Sequence, residues 1–130
     1  MSLHKMAFQQ HSDCPLVSIS VCFFSFSHQI IVLNFVEFKV EAHPQCSYDS
    51  LTIRDGATTS AHVMHTLCGD ASTLPNGGVI NSTDNALHLT FRSDASNSAD
   101  GFRIHWTSTA PGQCVRLCVD DVICRVILHI

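Results

Sequence analysis

Between residues 30 and 109, apolar side chains return at every second position. Ile31, Leu33 and Phe35 set one phase; it then slips by one residue, and Phe38 and Val40 carry it on. A one-residue slip within such a run is the signature of a β-bulge, because each strand position flips face relative to the last. The same alternation recurs at Leu51 and Ile53, at Leu87, Leu89 and Phe91, and at Phe102, Ile104 and Trp106. Turn-rich pieces separate these runs: "RDGATTS", "LPNGG", "NSTDN" and "SDASNSADG". Short alternating strands with turns between them predict an all-β fold, an antiparallel β-sandwich. No helical period is sustained. Phe35, Phe38, Phe91, Phe102 and Trp106 fall at strand period and are predicted core.

The ends differ in texture. "CPLVSISVCFFSFSH", Cys14–His28, is apolar but shorter than the ~20 residues that a spanning helix requires. It makes a poor signal peptide, since Asp13 and other polar residues precede it and no small-residue cleavage site follows. Its Phe, Ser, Leu and Pro content is that of pyrimidine-rich codons, as at the end of a translated intron. The tail "GQCVRLCVDDVICRVILHI" continues no earlier pattern. The expected organisation is a non-domain segment at 1–29, a partial domain at 30–109 that lacks its N-terminal strands, and a non-domain tail at 110–130.

Composition narrows the function. One domain fits in 130 residues, and 45% apolar against 14% charged residues describes a globular chain. Net charge is -4, and Lys39, Arg54, Arg92 and Arg103 stand singly, so no basic patch for nucleic acid or anionic lipid exists in the central zone. Seven cysteines are an odd number, so at least one is free or pairs between chains. Asn81-Ser82-Thr83 is a glycosylation sequon that only the secretory pathway would use. Together these point to an extracellular domain stapled by a disulfide.

"QCSYDSLTIRDG" brackets a short strand with Asp49 and Asp55. Asp55-Gly56 is a turn dipeptide, but Asp49 has no such neighbour. Its meaning follows from a resemblance. "FVEFKVEAHPQCSYDSLTIRDG", "LCG" at 67–69, "ALHLTFRSDASN" at 86–97 and "GFRIHW" at 101–106 occur in the order seen in CUB domains. The wording "FRIHWTSTAPG" is most similar to CUB repeats of cubilin-type receptors. The family's opening Cys-Gly-Gly stretch and its second cysteine have no match in residues 1–29.

The resemblance implies a calcium site in which Glu41, Asp49 and Asp94 supply carboxylates, with the Ser96 main-chain carbonyl and Asn97 beside them. Calcium takes six to eight oxygen ligands, and three converging carboxylates need a cation to offset their repulsion. It also implies a Cys46–Cys68 disulfide and capture of a protein ligand's lysine or arginine by Glu41 and Asp94. The expected function is an extracellular, calcium-dependent protein-binding module without catalytic residues, flanked by further CUB repeats in an endocytic receptor. Two alternatives stand beside it: the non-catalytic CUB portion of a secreted multidomain protease, and a secreted carbohydrate-binding CUB protein. His62 and His65 lack a second ligand pair at zinc spacing, Cys114, Cys118 and Cys124 form no metal spacing, and no nucleophile or phosphate-loop motif occurs.

Overall fold

The computed structural model describes residues 4–8, 17–25, 29–93, 101–109, 116–120 and 126–129. In chain order the strands are β1 His4–Phe8, β2 Val17–Phe24, β3 Ile31–Val40, β4 Ser50–Asp55, β5 His62–Leu67 and β6 Gly69–Asp70. They continue with β7 Val79–Asn81, β8 Ala86–Ser93, β9 Gly101–Ser108, β10 Arg116–Asp120 and β11 Val126–His129. One sheet runs β11-β1-β9-β3-β6, with β7 also paired to β3; the other runs β10-β2-β8-β4-β5. Every pairing is antiparallel, as the alternation predicts.

The core forms where the two inner faces meet. Every apolar residue read from the periodicity is buried: Ile31, Leu33, Phe35, Phe38 and Val40 of β3, Leu51 and Ile53 of β4, Leu87, Leu89 and Phe91 of β8, and Phe102, Ile104 and Trp106 of β9. Phe102 is the hub of an aromatic cluster, with ring centroids 5.5 Å from Phe91 and 6.3 Å from both Phe35 and Phe38. The phase slip in β3 is a bulge. Phe35 pairs with Ile104 and Glu37 with Arg103, leaving Val36 as the extra residue. Val36 and Glu37 then both face outward, which returns Phe38 and Val40 to the core side. Deleting Val36 would leave Phe35, Glu37, Phe38, Lys39 and Val40 in strict alternation, with Phe38 and Val40 still on the core side. A Val36-deleted chain is therefore expected to keep its cooperative thermal transition, and loss of that transition would contradict the bulge.

Before residue 30 the structure holds strands where the sequence reading placed none. β2 runs beside β8 over eight residue pairs, from Val17↔Ser93 to Phe24↔Ala86. Val21, Cys22 and Phe23 are buried, and the Phe23 ring meets Trp106 edge-on at 5.3 Å. β1 pairs with β9, while β10 and β11 pair with β2 and β1. The reason is visible in the chain: Val17, Ile19, Val21 and Phe23 alternate with Ser18, Ser20 and Cys22, which is itself a half-buried strand pattern. Cys22 is disulfide-bonded, a second bridge beyond the one implied by the resemblance.

Candidate metal centre

Glu41 is the first residue after β3 and Asp49 the last before β4. These strands belong to different sheets, so the 41–49 connection crosses from one sheet to the other at one end of the sandwich. Its shape is set from within and by one covalent tie. His43 Nδ1 accepts hydrogen bonds from the Gln45 and Ser47 amides at 3.2 and 3.3 Å, so the ring proton resides on Nε2. The His43 carbonyl accepts the Cys46 amide at 3.0 Å, closing a turn. The imidazole also packs on the Tyr48 ring, with centroids 4.3 Å apart. One histidine therefore holds both the turn and the aromatic residue preceding Asp49. No motif announces His43, because its contacts arise only once the loop has closed.

Cys46 bonds to Cys68 with a Cα–Cα distance of 5.6 Å, as the resemblance implies. Cys68 sits between β5 and β6, so the bridge anchors the middle of the connection to the body of the sandwich. Cys46 adopts φ +52°, the left-handed region that costs an ordinary residue roughly 1–2 kcal/mol. The bridge and the His43 turn together hold it there. Ala42, His43, Pro44, Cys46, Leu67 and Cys68 line a surface cavity of about 410 Å³ over this bridge. On its far side, Asp70 caps the 3-10 turn Ala71–Thr73; hydrogen bonds from the Ser72 hydroxyl and amide hold its carboxyl below the usual range.

The two candidate carboxylates share an unusual environment. Asp49 is fully buried, and Glu41 is half-buried with its Oε2 enclosed and reached by no hydrogen bond. Asp49 Oδ2 is a buried carboxylate oxygen as well. An ionised oxygen in such a place is costly unless a cation or a donor meets it. An enclosed carboxylate oxygen that no hydrogen bond reaches, as at Glu41, suits a hard cation. Among the described residues, no three His, Cys, Asp or Glu side chains converge on one point. Asp94, Ser96 and Asn97 lie outside the described residues. Ser50 pairs with Arg92, and Lys39 with Gly101, so both ends of 94–100 are registered against both ends of the 41–49 connection.

One other reading changes with the geometry. Asp55 is more than a turn residue: its Oδ1 accepts the Thr83 amide at 3.0 Å and its Oδ2 the Thr83 hydroxyl at 2.5 Å. It thereby ties the end of β4 to the β7–β8 connection, 28 residues away. His62 and His65 lie on β5. Asp55→Ala is expected to cost about 1 kcal/mol, the discounted value of charge-assisted bonds at a partly exposed site. Urea unfolding checks this, and a loss under about 0.3 kcal/mol would show the tie to be incidental.

The CUB domain family model matches residues 7–106, and the chain belongs to the CUB domain family. The matched stretch includes β2, which lies before the domain start at residue 30 expected from the sequence. The zinc metalloproteinase nas-39 of Caenorhabditis elegans is 41% identical over 83 residues, covering 64% of this chain and 8% of that protein. The cubilin homolog of Drosophila melanogaster is 40% identical over 85 residues, covering 65% of this chain and 2% of that protein. Among solved structures, the CUB1-EGF-CUB2 domain of human MASP-1/3 aligns with a TM-score of 0.57 and 28% identity, over 72% of this chain and 35% of that one. The chain thus corresponds to a small part of each. CUB domains are extracellular, generally non-catalytic modules that mediate protein–protein contacts, and this chain is of that extracellular class. No helix among the described residues is long and apolar enough to cross a membrane.

Proposed function

We propose that this chain is a calcium-dependent protein-binding module, itself without catalytic activity, that captures a lysine or arginine of a protein ligand. Glu41, Asp49 and Asp94, with the Ser96 carbonyl and Asn97, would hold the ion, so that residues 30–109 carry the whole site. The observation that supports this is the buried Glu41 Oε2 that no hydrogen bond reaches, on the same connection as the fully buried Asp49. When bound, calcium supplies the positive charge that lets these carboxylates stay ionised inside the fold. Glu41 and Asp94, once held by the ion, would accept charge-assisted hydrogen bonds from a basic side chain. The likeness to the Drosophila cubilin homolog supports placing the module in a multi-CUB endocytic receptor.

The likeness to nas-39 supports a second setting, the CUB portion of a secreted protease, in which the binding role is the same. Sequence flanking the chain separates the two: further CUB repeats indicate the receptor and a protease motif the enzyme.

A lysine-rich peptide and its fully acetylated counterpart, each offered in calcium and in chelator, test the capture itself. Binding is expected only to the unmodified peptide in calcium, with at least a ten-fold loss in chelator or in Glu41→Gln, equivalent to about 1.4 kcal/mol. Equal binding in chelator would contradict the proposal.

A further inference from the structure

The sequon Asn81-Ser82-Thr83 does not sit in a free loop. Asn81 is exposed, but it is the last residue of β7 and pairs with Val32 of β3. Ser82 is buried and continues that pairing in both directions: its amide donates to the Ile31 carbonyl at 2.9 Å, and its Oγ accepts the Ile31 amide at 2.8 Å. The same hydroxyl donates to the Asp84 carbonyl. Thr83 gives both its amide and its hydroxyl to Asp55. The motif requires a hydroxyl at its third position, so that group is part of what the glycosyl-transferring enzyme reads. In the folded domain this hydroxyl is committed to a carboxylate on another strand, and the residue before it is enclosed. Asn81 and Thr83 are both exposed, but the Thr83 hydroxyl is held by Asp55 and Ser82 is enclosed, so the recognition elements are engaged within the fold.

We propose that Asn81 accepts an N-linked glycan only before this domain folds, and that closure of the Asp55–Thr83 and Ile31–Ser82 contacts ends its competence. In the transfer, the Asn81 side-chain nitrogen bonds to the anomeric carbon of an oligosaccharide carried on a lipid pyrophosphate. The bond from that carbon to the pyrophosphate breaks, the pyrophosphate leaves with the electron pair, and the amide releases one proton. The contacts that close the sequon join residues 28 and 51 positions apart, so they form only when β3, β4 and β7 assemble. Occupancy at Asn81 therefore reports how long the domain stays open during secretion. Once attached, the glycan projects from β7, which among the described residues pairs with β3 alone, and would shield that strand from another chain.

The test uses the full chain made in a host that does not glycosylate. It is presented to purified oligosaccharyltransferase and a lipid-pyrophosphate oligosaccharide in two forms: native, shown folded by a cooperative melt, and reduced and unfolded. The unfolded chain should be modified at least ten-fold faster, with Asn81→Gln unmodified in both forms. Equal rates for the two forms would overturn the proposal. Modification of neither form would overturn it as well, by showing that Asn81 is not an acceptor.

Discussion

Phe23→Ala is expected to destabilise the chain by about 3–5 kcal/mol, the range for removing a fully buried aromatic side chain and leaving a cavity. Phe23 is completely enclosed and sits edge-on against Trp106, so its removal takes one half of an aromatic contact that bridges β2 and β9. The neighbourhood offers little scope for collapse, because Leu87, opposite Phe23 on β8, is itself fully buried. Two accounts of residues 1–29 diverge here. A domain that begins at residue 30 predicts that the substitution falls within about 0.5 kcal/mol of neutral, as for a residue outside the core. A domain that includes β2 predicts the full loss. Urea unfolding of the two chains decides between them, read at constant slope so that the comparison is of stability alone.

The second large effect is covalent. Replacing Cys46 and Cys68 together by serine should lower stability by about 3 kcal/mol, since the bridge closes a loop with a sequence separation of 22. More than entropy is involved, because the bridge helps hold Cys46 in its left-handed conformation and fixes the connection that carries Glu41 and Asp49. The double variant should therefore lose its response to calcium as well as its stability. A variant that melted lower but responded to calcium as before would show that the connection is shaped by His43 alone.

Much of this fold is legible in the central sequence, because burial on one face enforces a period of two that survives in β3, β4, β8 and β9. Even the bulge at Val36 can be read, since a slip in phase has one structural meaning when both halves of the strand are buried. The Cys46–Cys68 bridge was legible through the family resemblance and not through spacing. β2 was legible too, in the Val17-Ile19-Val21-Phe23 alternation, but the lack of the family's opening motif and the apolar bulk of the surrounding run obscured it. What could not be read has a common cause. The Asp55–Thr83 tie and the His43 turn are contacts made by polar side chains after the chain has folded, and no local pattern encodes them. Of the proposed calcium ligands, Asp49 stood out by itself as a carboxylate beside a strand with no turn to serve, whereas only the family resemblance pointed to Glu41. Its enclosed, hydrogen-bond-free Oε2 is a property of the assembled structure alone.

The central claim is that Glu41 and Asp49 hold calcium, and thermal melting of the full chain in calcium and in chelator tests it most directly. With calcium at a hundred times its dissociation constant, the chain should gain about 2.7 kcal/mol by mass action. For a domain of this size that corresponds to a rise in Tm of roughly 10 °C. Asp49→Ala and Glu41→Gln should each melt at the same temperature in calcium and in chelator, while Asp55→Ala, which loosens only the Thr83 tie, should keep the full rise. A wild-type chain with no rise, or Asp49→Ala and Glu41→Gln variants that gain as much from calcium as the wild type, would contradict the site and the capture mechanism built on it.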